Sequence, residues 1–402
     1  MVKILSFTLR SAAVALAIFI HTTGSSAAWG DLDTSFGFQG AAIDTVTGYH
    51  PQSVAVQPDG KILVTGYRVV LHSGERFFLR RYLPNGSLDT AFGTNGSAIG
   101  PEANTLTTDF RGGEIVVQAN GKIAVAGKAT GYYAVWQFTS SGAADTSFGN
   151  GGLFVTNYGV INGGYPGINI QSGKILLTVR KSINTDIYVA LLRLTTRGAL
   201  DVNFGTGGES VAEIDGETQD RGITVVEPDG KITVGGDREP TSHLSPRNHG
   251  LVRKLANGQD DATFTPPLNY LQGPMIPGLA KLANGKYAMR WANIAGNGSQ
   301  TLVIDKYGTG GVREASVSYY NGFPINRCPE VFTTQSDGKL VLQFAGLLFR
   351  TSADVTGSAE INDCSNLIGM TDLARAAIQP DDKMVAAGVY NNYLMLVRML
   401  PN

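Results

Sequence analysis

The chain has 402 residues, a formal net charge of −1 at pH 7 and only 16% charged residues. No basic or acidic block is present, which argues against a nucleic-acid partner. The 51 glycines are about twice the average share and fit many tight turns between short strands.

The first element in chain order reads as a targeting segment. Lys3 and Arg10 give a positive start, and Ser11–Ile20 is an apolar run too short to span a bilayer stably. Ser25, Ser26, Ala27 and Ala28 supply small residues for cleavage. This is the grammar of a secretory signal peptide over residues 1–28, with the mature chain beginning near Ala28 or Trp29. A secreted or periplasmic location is expected. No Cys follows the apolar run, so a lipid anchor is not expected. No later stretch is long and apolar enough to cross a membrane after signal cleavage.

Next comes Leu-Asp-x-x-Phe-Gly, and it returns. It reads LDTSFG at Leu32–Gly37, LDTAFG at Leu88–Gly93, ADTSFG at Ala144–Gly149 and LDVNFG at Leu200–Gly205, at a spacing of 56 residues. A shorter copy, DDATF, lies at Asp260–Phe264. Between copies runs a second phrase, an apolar strand closed by a turn that ends in Lys61, Lys122, Lys174, Lys231, Lys286, Lys339 or Lys383. In the first unit Ser53–Gln57 alternates apolar and polar and meets Pro58-Asp59-Gly60, a two-residue hairpin signal. Lys61–Tyr67 returns, Phe77–Leu83 is a third strand, and a short fourth follows the crossover near Ser97–Ile99. No segment sustains a 3.6-residue period, so helices are excluded.

Units of four antiparallel strands and this length predict an all-β, seven-bladed propeller in residues 29–402. The repeats run over about 32–87, 88–143, 144–199, 200–259, 260–311, 312–358 and 359–402. The last unit stops at its third strand, Leu394–Leu400, while Ala41–Val46 is a lone strand before the first hairpin. The N-terminal strand is therefore expected to complete the C-terminal blade and remove its open edge.

The phrases LDxxFG and QPDGKI, with their variants, resemble the bacterial delta-60 repeat, a propeller-like unit of about this length. The resemblance covers nearly the whole mature chain, strongly in the first four units and weakly in the last three. It implies fold and export. It carries no reaction or catalytic residues onto these positions.

Internal copies separate blade residues from site residues. A residue found in every unit serves the blade. Phe36, Phe92, Phe148, Phe204 and Phe264 are expected as wedges between blades. Asp33, Asp89, Asp145, Asp201 and Asp261 are expected as turn caps. The basic residue on the third strand, at Arg81, Arg193, Arg253, Lys306 and Arg398 with Gln137 in the second blade, is expected to bond neighbouring turns. Carboxylates near the repeated Asp are too few for a calcium loop, and no metal or other cofactor is expected. Quinone chemistry is disfavoured because only Trp29, Trp136 and Trp291 are present.

The other end of the strands holds the variable loops, where propellers usually bind ligands. It collects His50, His72, Glu75, Arg76, Tyr158, Tyr165, Asp186, Asp220, Arg221, Tyr270, Tyr319, Tyr320 and Phe323. The longest insertion, Asp237–Asn248 followed by His249, adds His243 and His249 at no recognised metal spacing. Cys328 and Cys364 fall in loops of consecutive blades, and a disulfide between them is expected in an exported protein. Two readings of function follow. The first is a non-enzymatic binding propeller, a monomer, that presents Tyr158, Tyr165, Tyr270, Tyr319, Tyr320, Phe323, His243 and His249 to a glycan or extracellular protein. The alternative is a hydrolase or lyase on extracellular polysaccharide, with His50 or His72 as base and Arg76 or Arg221 as electrostatic clamp. That alternative requires a His and a carboxylate or Arg from different blades to meet at the channel mouth.

Overall fold

The computed structural model describes residues 28–70, 74–98, 110–161, 164–184, 186–213, 219–238, 248–264, 275–294, 300–322, 331–344, 347–356, 359–362, 364, 367 and 369–401. Within the strands, the side chains of residues 70, 110, 219–221, 237–238, 248–249, 275–277, 292–294, 300 and 320–322 lie outside that description. Residues 1–27, which carry the expected signal segment, lie outside it as well.

Seven antiparallel sheets follow one another along the chain. The first contains Tyr49–Val56, Ile62–Val70, Gly74–Tyr82 and Ser97–Ala98 in that order, and the second Phe110–Val117, Ile123–Ala129, Tyr132–Phe138 and Leu153–Gly159. The third holds Gly167–Gln171, Lys174–Ile183, Asp186–Leu194 and Glu209–Ala212. Three described strands, Gln219–Val226, Ile232–Arg238 and Asn248–Lys254, make the fourth. Met275–Lys281, Tyr287–Ile294, Gln300–Tyr307 and Arg313–Gly322 make the fifth. The sixth is Phe332–Thr334, Leu340–Phe344, Leu347–Arg350 and Glu360–Asn362.

The seventh sheet is assembled from both ends of the chain. Ala377–Ile378 and Met370–Thr371 pair with Met384–Tyr390, which pairs with Tyr393–Met399, and the outer strand is Ala41–Thr47. Ala41 faces Val397 and Thr47 faces Tyr393 across that last pairing. Main-chain bonds extend it outward, from Asp33 N to Arg398 O at 2.8 Å and from Leu400 N to Asp31 O at 2.8 Å. The expected clasp is present, and it pairs an edge that would otherwise be open.

The first strand of each sheet lies innermost and packs on the next sheet. Between the seventh and first blades the ring closes through Val54 N to Arg375 O and Arg375 N to Gln52 O, both at 3.1 Å. The core is divided into seven apolar clusters among the described residues, most of them shared by two sheets. One joins Leu63, Phe77 and Leu79 to Ile123, Val125 and Trp136. There the rings of Phe77 and Trp136 stack at 4.8 Å.

The inner hairpins turn as the sequence requires. Gly60 sits at φ +80°, and its amide donates to Gln57 O at 2.9 Å. In the seventh blade Asp382 takes that position at φ +63°, a conformation Asp tolerates better than most residues.

The LDxxFG phrase builds a latch between blades. Each Asp caps its own turn, as in Asp89 Oδ1 accepting from Ala91 N at 3.2 Å and Asp261 Oδ1 from Thr263 N at 3.1 Å. Its second oxygen receives Arg Nε from the third strand, at 2.7–2.8 Å for Arg81–Asp89, Arg193–Asp201, Arg253–Asp261 and Arg398–Asp33. The same guanidinium donates to a turn of the next blade, at Ser140 O, Ala256 O, Thr309 O and Pro84 O. It also covers the repeated Phe at 4.3–4.8 Å. In the second blade Gln137 replaces the Arg, and Lys122 reaches Asp145 at 2.6 Å instead. Phe36, Phe92, Phe148 and Phe204 are fully buried. Each meets a glycine of the next blade: a Cβ on Gly86, Gly142, Gly198 or Gly258 would lie 2.8–2.9 Å from the ring. Burial alone would raise the pKa of Asp33, but hydrogen bonds from Ser35 and Lys383 and the Arg398 charge hold it at about 2.

Candidate functional site

Aligned on the turn lysine, the inner strands place His50, Arg111 and Asp372 eleven residues before Lys61, Lys122 and Lys383. Glu114 and Arg375 stand eight residues before Lys122 and Lys383. Three residues of strand span about 10 Å, so these form two levels at the end opposite the lysine turns.

At the upper level His50 Nδ1 lies 2.7 Å from Asp372 Oδ2, joining the first and seventh blades. His50 and Tyr67 are cross-strand partners. Their rings stack at 4.7 Å, inclined by 8°. The Arg111 guanidinium from the second blade lies 4.8 Å from the Tyr67 ring centre and donates to the Glu75 carboxylate. Arg111 also hydrogen-bonds the phenol of Tyr165, from the loop entering the third blade. The Lys128 ammonium sits 4.1 Å from the Tyr165 ring centre. Four blades thus contribute to one cluster.

The lower level is an ion pair across the axis. Arg375 of the seventh blade donates to Glu114 of the second, passing over the inner strand of the first. The other Glu114 oxygen accepts from Ile168 N of the third blade at 3.1 Å.

The electrostatics are those of paired charges. Glu75 and Glu114 each hold an arginine, and Asp372 holds an imidazole. Burial raises the Tyr67 phenol above its ordinary range. It raises Tyr165 too, although the Arg111 hydrogen bond pulls the other way. Burial opposes the charge on Arg111, but Tyr165 and Glu75 outweigh it and keep the guanidinium protonated. Both phenols stay neutral donors and acceptors at any physiological pH.

Of the residues singled out in the sequence, His50, Glu75 and Tyr165 come together here. Arg76 is paired in register with Arg68, on the face of the sheet opposite His50 and Tyr67. Arg68 lies 5.4 Å from the Tyr49 ring on that side. Tyr158 donates to Glu209 of the third blade, which also takes Lys181 at 2.6 Å, so its hydroxyl is engaged between blades. Tyr319 packs against the sixth blade's apolar cluster. Its hydroxyl has no hydrogen-bond partner among the described residues, and burial pushes its pKa up to about 12. Cys364 is fully buried at a turn between the sixth and seventh blades. His72, Tyr270, Phe323, His243 and Cys328 lie outside the described residues, as do the side chains of Arg221, Tyr320 and His249. Among the described residues, no group of three His, Cys, Asp or Glu is placed to hold a metal ion.

The sequence reading passed over Tyr67, Arg111, Glu114, Lys128, Asp372 and Arg375. The register on the turn lysine would have found four of them. Charged residues eight and eleven places before that lysine break an otherwise small or apolar pattern.

A family model described as Domain of unknown function (DUF5122) beta-propeller matches residues 57–92 and 118–148. No curated protein sequence matches the chain. Among solved structures, the chain is similar to BBS1N in complex with ARL6DN, at 12% identity over 89% of this chain and 95% of that one, with a TM-score of 0.48. A protein of unknown function from Dyadobacter fermentans DSM 18053 is 11% identical over 90% and 98% of the two chains, with a TM-score of 0.45. Penicillium chrysogenum alpha-L-arabinanase complexed with arabinobiose is 13% identical over 71% and 91%, with a TM-score of 0.44. Sheet order, ring closure and the matching repeat model agree that this chain is a seven-bladed β-propeller built from an internal repeat.

Proposed function

We propose that this chain is an exported, non-enzymatic binding propeller of delta-60 repeats that takes a glycan at the mouth of its channel. The observation that supports this most is the composition of the His50–Tyr67–Arg111–Tyr165 cluster. It offers aromatic rings beside hydrogen-bonding groups whose charges are already paired. Sugar rings present apolar faces and many hydroxyls, and such a surface meets both without burying an unpaired charge. The Glu114–Arg375 pair below would stop a chain from threading through. Export supports a bridge between Cys328 and Cys364, and the protein would act as a monomer.

The test is a glycan array with the secreted chain, followed by titration calorimetry of the best binder. Tyr67→Ala and Arg111→Ala are each expected to weaken binding about tenfold, the loss of roughly 1.4 kcal/mol of stacking or hydrogen bonding. Unchanged affinity in both variants would move the site elsewhere. A chain that binds no glycan but retains a protein partner would replace the ligand class.

A polysaccharide hydrolase or lyase is the second reading, and the His50–Asp372 contact favours it. A His and a carboxylate from different blades do meet at the mouth, at 2.7 Å. Depolymerisation of extracellular polysaccharides by the wild type, abolished in Asp372→Asn, would establish it.

A further inference from the structure

We propose that export processing cuts the chain between Ala27 and Ala28, and that Asp31 captures the new α-ammonium group. The inference rests on the export reading above and adds the bond that is cut and the group that receives the new terminus.

The small residues before Trp29 allow two cleavage registers, after Ala27 or after Ala28. The folded chain distinguishes them. Ala28 N lies 2.7 Å from Asp31 Oδ2, and Asp31 N donates back to Ala28 O at 3.1 Å. The residues that follow are fixed in the ring. Asn362 Nδ2 donates to Trp29 O at 3.0 Å, Gly30 N donates to Leu400 O at 3.0 Å, and the Trp29 ring packs on the cluster between the sixth and seventh blades. Gly30 sits at φ +82°, and a Cβ there would come within 2.6 Å of Asn362 Nδ2.

A cut before Ala28 converts the Ala28–Asp31 contact from an amide bond into a charge-assisted one, which is roughly twice as strong. A cut after Ala28 discards both contacts. It also brings a second positive charge to a residue whose ring already carries the Arg350 guanidinium at 5.2 Å. The reaction is hydrolysis by a membrane signal peptidase. The Ala27–Ala28 amide breaks, and water supplies a hydroxyl to the Ala27 carbonyl carbon and a proton to the Ala28 nitrogen.

The full 402-residue chain is expressed in a bacterium with a working export pathway, and the exported product is read by intact mass and N-terminal sequencing. A first residue of Ala28 is expected. A start at Trp29, or at any other residue after the apolar run, overturns this inference and leaves export standing. A product that keeps Met1–Ala27 overturns the export reading as well. Capture is read from acylation of the α-amine at pH 7. Asp31→Asn is expected to react about threefold faster, because an α-amine freed from a carboxylate is less often protonated. Equal rates would show that Asp31 does not hold the terminus.

Discussion

Between the third and fourth blades, Arg193 bonds Asp201, spans to Ala256 O and covers Phe204. Between the fifth and sixth, none of those repeated residues is in place. Arg290, from the second strand rather than the third, reaches over to Gln343 O and lies 5.3 Å from the Phe332 ring. Asp305 of the same blade takes Arg313 at 2.9 Å and the Trp291 indole at 3.0 Å. The sixth and seventh blades are joined by Arg350, which donates to Pro401 O and covers Trp29. A guanidinium on an aromatic ring, donating to the next blade's main chain, recurs throughout. Only its sequence address changes, so geometry is kept where the phrase has decayed.

Phe204→Ala breaks the repeated interface most sharply. Its ring is fully buried, and the loss is expected to be about 3–5 kcal/mol. Phe332 is half-buried, so Phe332→Ala is expected to cost roughly half as much. Urea midpoints of the two variants check the difference; equal shifts would mean the irregular interface is as tightly packed as the regular one. Next in size is Arg253→Met. It leaves Asp261 with Lys231 at 3.4 Å, and about 2 kcal/mol is expected from the lost charge-assisted bonds. Arg350→Met, at the irregular interface, removes the contacts to Pro401 O, Glu360 and Trp29 together and is expected to cost about as much. Thermal unfolding of the pair compares the two addresses directly.

The smallest effect is one of pH. The Thr263 hydrogen bonds and Arg253 hold the Asp261 carboxyl low, Lys174 does so for Asp201, and Asp33 lies at about 2. Their pKa values are depressed in the folded chain, so their stabilisation is complete above the ordinary carboxylate range. It is lost as pH falls from about 4 towards 2. An acid titration followed by tryptophan fluorescence should show unfolding in that window, and Asp201→Asn should make the transition shallower. A transition centred near pH 6 would point to histidine instead.

The fold was legible because the repeat supplies its own alignment. The turn at Gly60, the cap at Asp89 and the wedge at Phe92 each follow from a residue type recurring at a fixed place. The role of Arg81 and Arg193 was legible for the same reason. Arg350 was not, since no LDxxFG follows it and its aromatic partner, Trp29, comes from the other end of the chain. The mouth was legible only in part. His50, Glu75 and Tyr165 are types that draw attention, whereas Asp372 sits in the last unit, where the pattern is thin. Arg111 and Glu114 occupy strand positions, and only ring closure shows that those positions face an axis.

The central claim is that the chain closes on itself through Ala41–Thr47 on Tyr393–Met399. Hydrogen exchange on the exported chain tests it most directly. Amides of Ala41–Ile43, paired with Val397, Leu396 and Met395, should exchange as slowly as those of Met384–Tyr390. Exchange at the rate of an unstructured peptide would contradict closure.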